Sequence, residues 1–140
     1  MSAADVELVR SVWPPEADMV EFVESLDEYA EAFGGRFDPA FEVQFHPDEP
    51  AAFGTLRGVD GMARGWHEWL EPYETYRYTV EDYLDAGGGD VVMHARVRAV
   101  TRRDAVAVEH APAVVCRVRD DRIVRVDFYL DRTEAPTASR

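Results

Sequence analysis

Apolar residues recur at two different spacings along the chain. Up to Leu70 they return mostly every three or four residues, with one alternating stretch at Phe41–Phe45, and from Tyr73 onward every second residue. The first spacing is that of helices with one buried face, the second that of strands in a half-buried sheet. Ser2, with Asp5 three residues on, reads as a capping box. Val6, Val9 and Trp13 share one side of the helix it opens, and Pro14-Pro15 end it. A second helix is predicted over 16–33, where Met19, Phe22, Val23, Leu26, Tyr29, Ala30 and Phe33 fall at helical spacing before Gly34-Gly35. In "FEVQFHPDEP" the residues Phe41, Val43 and Phe45 alternate with Glu42 and Gln44, a strand that ends at His46-Pro47. A short strand over Thr55–Gly58 leads to a third helix from Val59 to Pro72, with Asp60 in its first turn and Met62, Trp66, Trp69 and Leu70 on one face.

Four strands are predicted next: Tyr76–Ala86, Val91–Arg103, Ala105–Arg119 and Ile123–Asp131. The connections "AGGGD", "RRD" and "RDD" are short enough to require antiparallel neighbours. Helices followed by a meander make an α+β order, with the helices packed on one face of the sheet. The polar end, Thr133–Arg140, is expected to fray.

Alternation sorts the strands into faces. Val124, Val126, Phe128 and Leu130 should meet the helices, leaving Ile123, Arg125, Asp127, Tyr129 and Asp131 outside. Val91, Met93, Ala95, Val97 and Ala99 form a second inward set, with His94, Arg96 and Arg98 behind it. In the strand between them Val106, Val108, His110, Pro112, Val114, Cys116 and Val118 are taken as inward, because Glu109, Arg117 and Arg119 occupy the other parity. That puts His110 on an apolar wall. Asp82 shares the parity of Tyr76, Tyr78 and Val80, and a bulge in "VEDYL" is expected to turn it outward. Small inward residues (Ala95, Ala99, Val114, Cys116) opposite Trp66, Trp69 and Phe128 leave either a filled core or a pocket.

Composition narrows the function. At 140 residues the chain has single-domain length, with 46% hydrophobic and 31% charged residues. A net charge of -13 excludes a nucleic-acid partner and an anionic membrane surface. No apolar run approaches the roughly 20 residues of a membrane span, and acids stand where a secretory signal would be basic and apolar. The single Cys116 allows no internal disulfide, so a reducing cytoplasm is the expected location, and the thiol reads as an apolar filler. His46, His67, His94 and His110 show no metal-ligand spacing, and "AGGGD" is a turn rather than a phosphate loop, so neither a metal nor a cofactor is expected.

The stretches "LRGVDGMARGWHEWLEPYETYRYTVEDYLDAG" and "RDDRIVRVDFYLDRTEA" resemble the SnoaL-like branch of the nuclear transport factor 2-like superfamily. The likeness runs over most of the chain from Asp38 and implies a cystatin-like, cone-shaped α+β roll, in which a curved antiparallel sheet and three helices enclose an apolar pocket. It also implies a homodimer through the outer sheet face, here His94, Arg96, Asp127 and Tyr129. The superfamily hosts isomerases, cyclases, dehydratases, epoxide hydrolases and plain binding modules, so the fold does not choose among them. Ketosteroid isomerases carry an Asp-Pro where this chain has His46-Pro47, and a second aspartic acid at the position matching Val114. Polyketide cyclases and limonene epoxide hydrolases place an aspartate at the position matching Phe128, with Asp127 here pointing the other way.

With those carboxylates replaced, His46 and His110 are the candidate catalytic groups. His46 at the pocket rim would be a general base beside a carbonyl, and His110, or the hydroxyl of Tyr73 or Tyr83, would stabilise the oxyanion. The competing reading makes His46 a solvated loop residue and His110 a satisfied core histidine. The expected pocket wall is Trp66, Trp69, Tyr73, Tyr83, Met93, Ala95, Val114, Cys116, Val126 and Phe128. Such a chain is either a pocket protein for a small apolar ligand, with or without a carbonyl, or a cofactor-free isomerase, cyclase or dehydratase. A non-catalytic dimeric module is the remaining alternative.

Overall fold

A computed structural model describes residues 3–46 and 55–134. Pro47, the tail from 135, and the side chains of Tyr29, Ala30 and Phe33 lie outside the described residues. The first helix, α1 (Ala3–Val12), stops before Pro14-Pro15 as its sequence requires. The helix expected over 16–33 is three separate pieces: β1 (Glu16–Asp18), α2 (Met19–Glu24) and α3 (Leu26–Phe33). Asp18 is the cause of the first break, because its carboxylate accepts the Val20 N–H at 2.9 Å and caps α2. Ser25 is the second, its N–H bonded back to the Phe22 carbonyl at 3.1 Å.

A 3-10 turn, Gly34–Arg36, leads into β2 (Phe37–His46), then β3 (Leu56–Arg57) and α4 (Gly58–Leu70). The strands β4 (Tyr73–Gly87), β5 (Asp90–Thr101), β6 (Ala107–His110), β7 (Ala113–Arg119) and β8 (Arg122–Tyr129) complete the sheet, followed by a 3-10 turn at Arg132–Glu134. The single strand expected over Ala105–Arg119 is therefore two. Pro112 lacks the N–H that would continue the ladder, and the gap is bridged by the Ala95 N–H donating to the Pro112 carbonyl at 3.1 Å.

The sheet runs β1-β4-β5-β7-β8-β2-β3, with β6 paired to β5. Every pairing is antiparallel except that of β2 with β8. It is curved and unclosed, with the helices on its inner face: the α+β cone the sequence predicted.

Register lines the side chains into transverse rows. Phe45, Phe128, Val114, Met93 and Tyr83 make one row; Gln44, Asp127, Val115, Val92 and Leu84 make the next. A third holds Val43, Val126, Cys116 and Val91. Successive rows face opposite sides, and the first and third meet the helices. The helix α4 comes close to β2 because position 65 is glycine; a methyl group there would collide with the Phe45 ring.

Two facing assignments differ from alternation alone. Ile123 is fully buried and Val124 only partly, because a bulge between the Arg117–Arg125 and Val118–Ile123 pairs absorbs Val124. Val106, expected inside, is exposed beside Ala105, whose φ is 53°. The bulge foreseen in "VEDYL" is present: pairing jumps from Val80 to Asp82, and Glu81 and Asp82 are both exposed. On the outer face Val92, Ala113 and Val115 form a small buried cluster with Leu84, Ala86 and Tyr129 against it.

Candidate functional site

Between the sheet and the helices lies a crevice. Trp13, just beyond α1, and Met19, opening α2, form one wall; Trp66 and Trp69 of α4 form another. The sheet supplies Tyr76, Tyr78 and Val80 from β4, Met93, Ala95 and Val97 from β5, Val114 from β7 and Phe128 from β8. One end reaches Pro112, Ala113 and Tyr129, where β6 gives way to β7. Measured to its walls and including the mouth the crevice holds about 540 Å³, of which about 50 Å³ is open to the centre of a water molecule. A water needs ~10–15 Å³ in that measure, so this is a narrow slot.

Phe128 is its hub. Its ring stacks on Phe45 at 4.8 Å and 22°, meets Trp66 at 4.8 Å and 69°, and turns its edge to Trp13 at 5.8 Å and 89°. Offset and edge-to-face contacts are the arrangements that aromatic quadrupoles favour. Three of the polar atoms in the wall are engaged, and the indole nitrogens of Trp13 and Trp66 are buried without a partner. The Trp69 indole N–H donates to the Tyr76 hydroxyl at 2.9 Å, and the Tyr78 hydroxyl donates to the Pro14 carbonyl at 2.8 Å. Burial pushes both tyrosine pKa values well above the ordinary one, so both hydroxyls stay neutral. Burial likewise pushes the Cys116 thiol up to about 12.

The sequence model of the SnoaL-like domain matches residues 20–126. The chain belongs to that family. No curated protein matches it in sequence. Among solved structures, the fold is similar to that of a Jannaschia sp. CCS1 protein assigned as a SnoaL-like polyketide cyclase, at 15% identity and TM-score 0.69, covering 98% of each chain. An NTF2-like protein of Burkholderia thailandensis E264 is 22% identical with TM-score 0.65, over 94% of this chain and 98% of that one. TerC, co-crystallised with polyporic acid, is 14% identical with TM-score 0.65, over 94% and 95% of the two chains.

In this SnoaL-like chain the crevice takes six of the expected wall residues: Trp66, Trp69, Met93, Ala95, Val114 and Phe128. Four others are elsewhere. Cys116 and Val126 are fully buried in the core below. Tyr83 gives its hydroxyl to the Trp13 carbonyl at 2.9 Å and holds the Arg10 guanidinium 4.6 Å over its ring. Tyr73 lies with His110 at the sheet edge, its hydroxyl 3.4 Å from the imidazole Nε2. His110 pairs with Val97 across β5 and β6 and adjoins the Tyr76 ring at 6.4 Å, outside the crevice lining.

His46 does not stand at the crevice entrance. It shares the outer face with Glu42 and Gln44, its Nε2 2.9 Å from the Asp127 carboxylate and its ring stacked on Tyr129 at 4.1 Å and 5°. The physical reason is the alternation itself: a strand that turns Phe45 inward turns His46 outward. Asp127 also accepts from Arg125 at 2.9 Å, and Arg125 reaches Glu42 at 3.0 Å and Gln44 at 3.1 Å. Those bonds, that to Asp127 first, raise the Arg125 pKa, while Arg57 and then Arg125 lower that of Glu42. The two imidazoles thus belong to different clusters. Trp13, Tyr76 and Tyr78 were missing from the expected wall, although the face of α1 and the parity of β4 both pointed to them.

Proposed function

We propose that this SnoaL-like protein binds a small, ring-bearing apolar molecule in the tryptophan-lined crevice, without acid–base chemistry on it. One observation carries the reading: among the described residues lining the crevice there is no carboxylate, imidazole, amine or guanidinium, only aromatic and aliphatic side chains. An enzyme working by proton transfer needs a suitable titratable group within reach of its substrate. Burial raises the pKa of Tyr76, Tyr78 and Tyr129, and the first two are engaged with Trp69 and the Pro14 carbonyl. His46 is bonded to Asp127 and stacked on Tyr129. TerC, a solved neighbour of the same fold, was co-crystallised with polyporic acid, which is compatible with a small organic ligand here.

All three tryptophans of the chain line the crevice, so their fluorescence reports on it without background. Titration with optically silent cyclic hydrocarbons should give a saturable change in emission and a rise in thermal stability, worth ~2.7 kcal/mol at ~100-fold Kd. No saturable change with any ring compound up to its solubility limit would defeat the reading.

The outer face, with Val92, Ala113 and Val115 at its centre and His94, Arg96, Asp127 and Tyr129 around them, is proposed as the contact of a homodimer. Sedimentation should give twice the chain mass at micromolar concentration, and a clean monomer there would refute it.

A further inference from the structure

We infer that the outer face of the sheet carries a second binding site, a water-filled cleft that holds a small doubly charged oxyanion, most simply a phosphate group, with Arg77 as its principal contact. The cleft lies on the opposite side of the sheet from the crevice and does not depend on what the crevice binds.

Alternation puts the groups there. Tyr76 and Tyr78 of β4 and Val97 of β5 border the crevice, so Arg77, Thr79, Arg96 and Arg98 beside them point to the other side. Register sets Arg77 directly opposite Arg98 and Thr79 opposite Arg96. Residues paired in this way have Cβ atoms about 5 Å apart, and the diagonal neighbour, here Arg96 to Arg77, stands about 7 Å away. Together with Glu109 and His110 of β6 they line a cleft of which about 290 Å³ is open to the centre of a water molecule, against about 50 Å³ in the crevice. Arg98 stands roughly 20 Å along β5 from Val92, which puts the cleft at the margin of the proposed dimer contact.

Like charges set opposite each other on paired strands repel. Elsewhere on this face the chain answers guanidinium groups with carboxylates: Arg117 with Asp90 at 3.2 Å and Arg125 with Asp127 at 2.9 Å. In the cleft Arg96 spends one N–H on Glu81 at 2.8 Å and Arg98 one on Glu109 at 2.9 Å. Arg77 has no carboxylate among the described residues. Asp18, its neighbour in register on β1, accepts instead from the N–H groups of Val20 at 2.9 Å and Tyr76 at 3.4 Å. Three guanidinium groups therefore share the cleft with one carboxylate, Glu109, and two positive charges are left over.

A guanidinium carries five N–H donors in a planar fork that fits the oxygens of phosphate or carboxylate two at a time. Arg96 and Arg98 keep donors beyond the ones already spent, the Thr79 hydroxyl can add another, and Arg77 brings all of its own. A dianion between them would relieve the Arg77–Arg98 repulsion and match the local surplus. A long polyanion would not gain in the same way. Acidic residues far outnumber arginines before residue 76 and only equal them after it, so only a small anion meets the cleft without meeting the acids as well.

Titration with sodium phosphate at about pH 8, where most of it is doubly charged, tests this, with sodium chloride adjusted to hold the ionic strength constant. In 15N-labelled protein the Nε–H signals of Arg77 and Arg98, assigned by their loss in Arg77→Met and Arg98→Met, should move saturably. The side chains of Arg96 and Arg98 are 68% and 75% exposed, so a dissociation constant of about 1 mM is expected. Nitrate, a flat monoanion, should bind at least about fivefold more weakly. Arg77→Met should weaken phosphate roughly tenfold. Arg122→Met, which removes one exposed guanidinium outside the cleft, should weaken it less than about twofold. An Arg77 signal without saturable movement, nitrate binding as tightly as phosphate, or equal losses in Arg77→Met and Arg122→Met would each overturn the inference. The wild-type titrations with phosphate and nitrate decide alone if a variant does not fold.

Discussion

Along the seam of β2 and β8, Phe45 and Phe128 lie in register on the inside of the sheet, and Gln44 and Asp127, one residue back, lie in register on the outside. Inside, the two rings stack at 4.8 Å under Trp66. Outside, the Arg125 guanidinium spans Asp127, Glu42 and Gln44, and His46 completes the set. The outer groups have spent their hydrogen-bonding capacity on each other and face water and salt, which weaken them. The inner groups have nothing to bond and depend on exclusion of water. The lesson is one of division of labour: the charged residues brace the seam from behind, and the apolar ones line the crevice.

That contrast can be broken most sharply from within. Phe128→Ala should cost about 3–5 kcal/mol in chemical denaturation, as expected for a buried aromatic whose space cannot fully collapse; a loss under ~1 kcal/mol would show that the rings do not organise the inner face. Next comes Arg125→Met, which keeps the stem and removes the guanidinium. It leaves the half-buried Asp127 with His46 as its neighbour, and a loss of about 1–2 kcal/mol is expected, since the head is partly solvated. A cost equal to that of Phe128→Ala would erase the distinction between the faces. Smallest is Arg98→Ala: its pair with Glu109 has side chains 75% and 64% exposed, so removing it should change stability by no more than ~0.5 kcal/mol.

The sequence carried most of the fold, because alternation is hard to disguise where one face is greasy. Met93, Ala95, Val97 and Ala99 read inward and are buried. Asp82 betrayed its bulge by being a carboxylate in an apolar parity, whereas the bulge at Val124 left no mark, since Ile123 and Val124 are both apolar. Helical spacing over 16–33 hid the strand at Glu16–Asp18, because a three-residue strand is shorter than one helical period and only the Asp18 cap announces it. At the site, Trp66, Trp69 and Phe128 were legible from their faces. The placement of His46 was equally legible, as the parity of Phe45 excludes it from the inside; likeness to an Asp-Pro pair in other enzymes drew attention to a residue that alternation had already sent outward. What no pattern along the chain could reveal is the hydrogen-bond economy of the wall, such as Trp69 finding Tyr76 while Trp66 finds nothing, because that depends on contacts between α4 and β4 in three dimensions.

Glu81 is one residue more than β4 needs: without it, Val80, Asp82 and Tyr83 would point in, out and in with no interruption. Yet this surplus carboxylate takes hold of Arg96 and, at 2.8 Å, of Arg132 near the end of the described chain. A single supernumerary position therefore both bends the strand and moors the closing turn to it. A relative lacking that position would keep the same inward side chains on a flatter sheet, its last turn tied through Arg132 to the Ala95 and Ala111 carbonyls but no longer to β4.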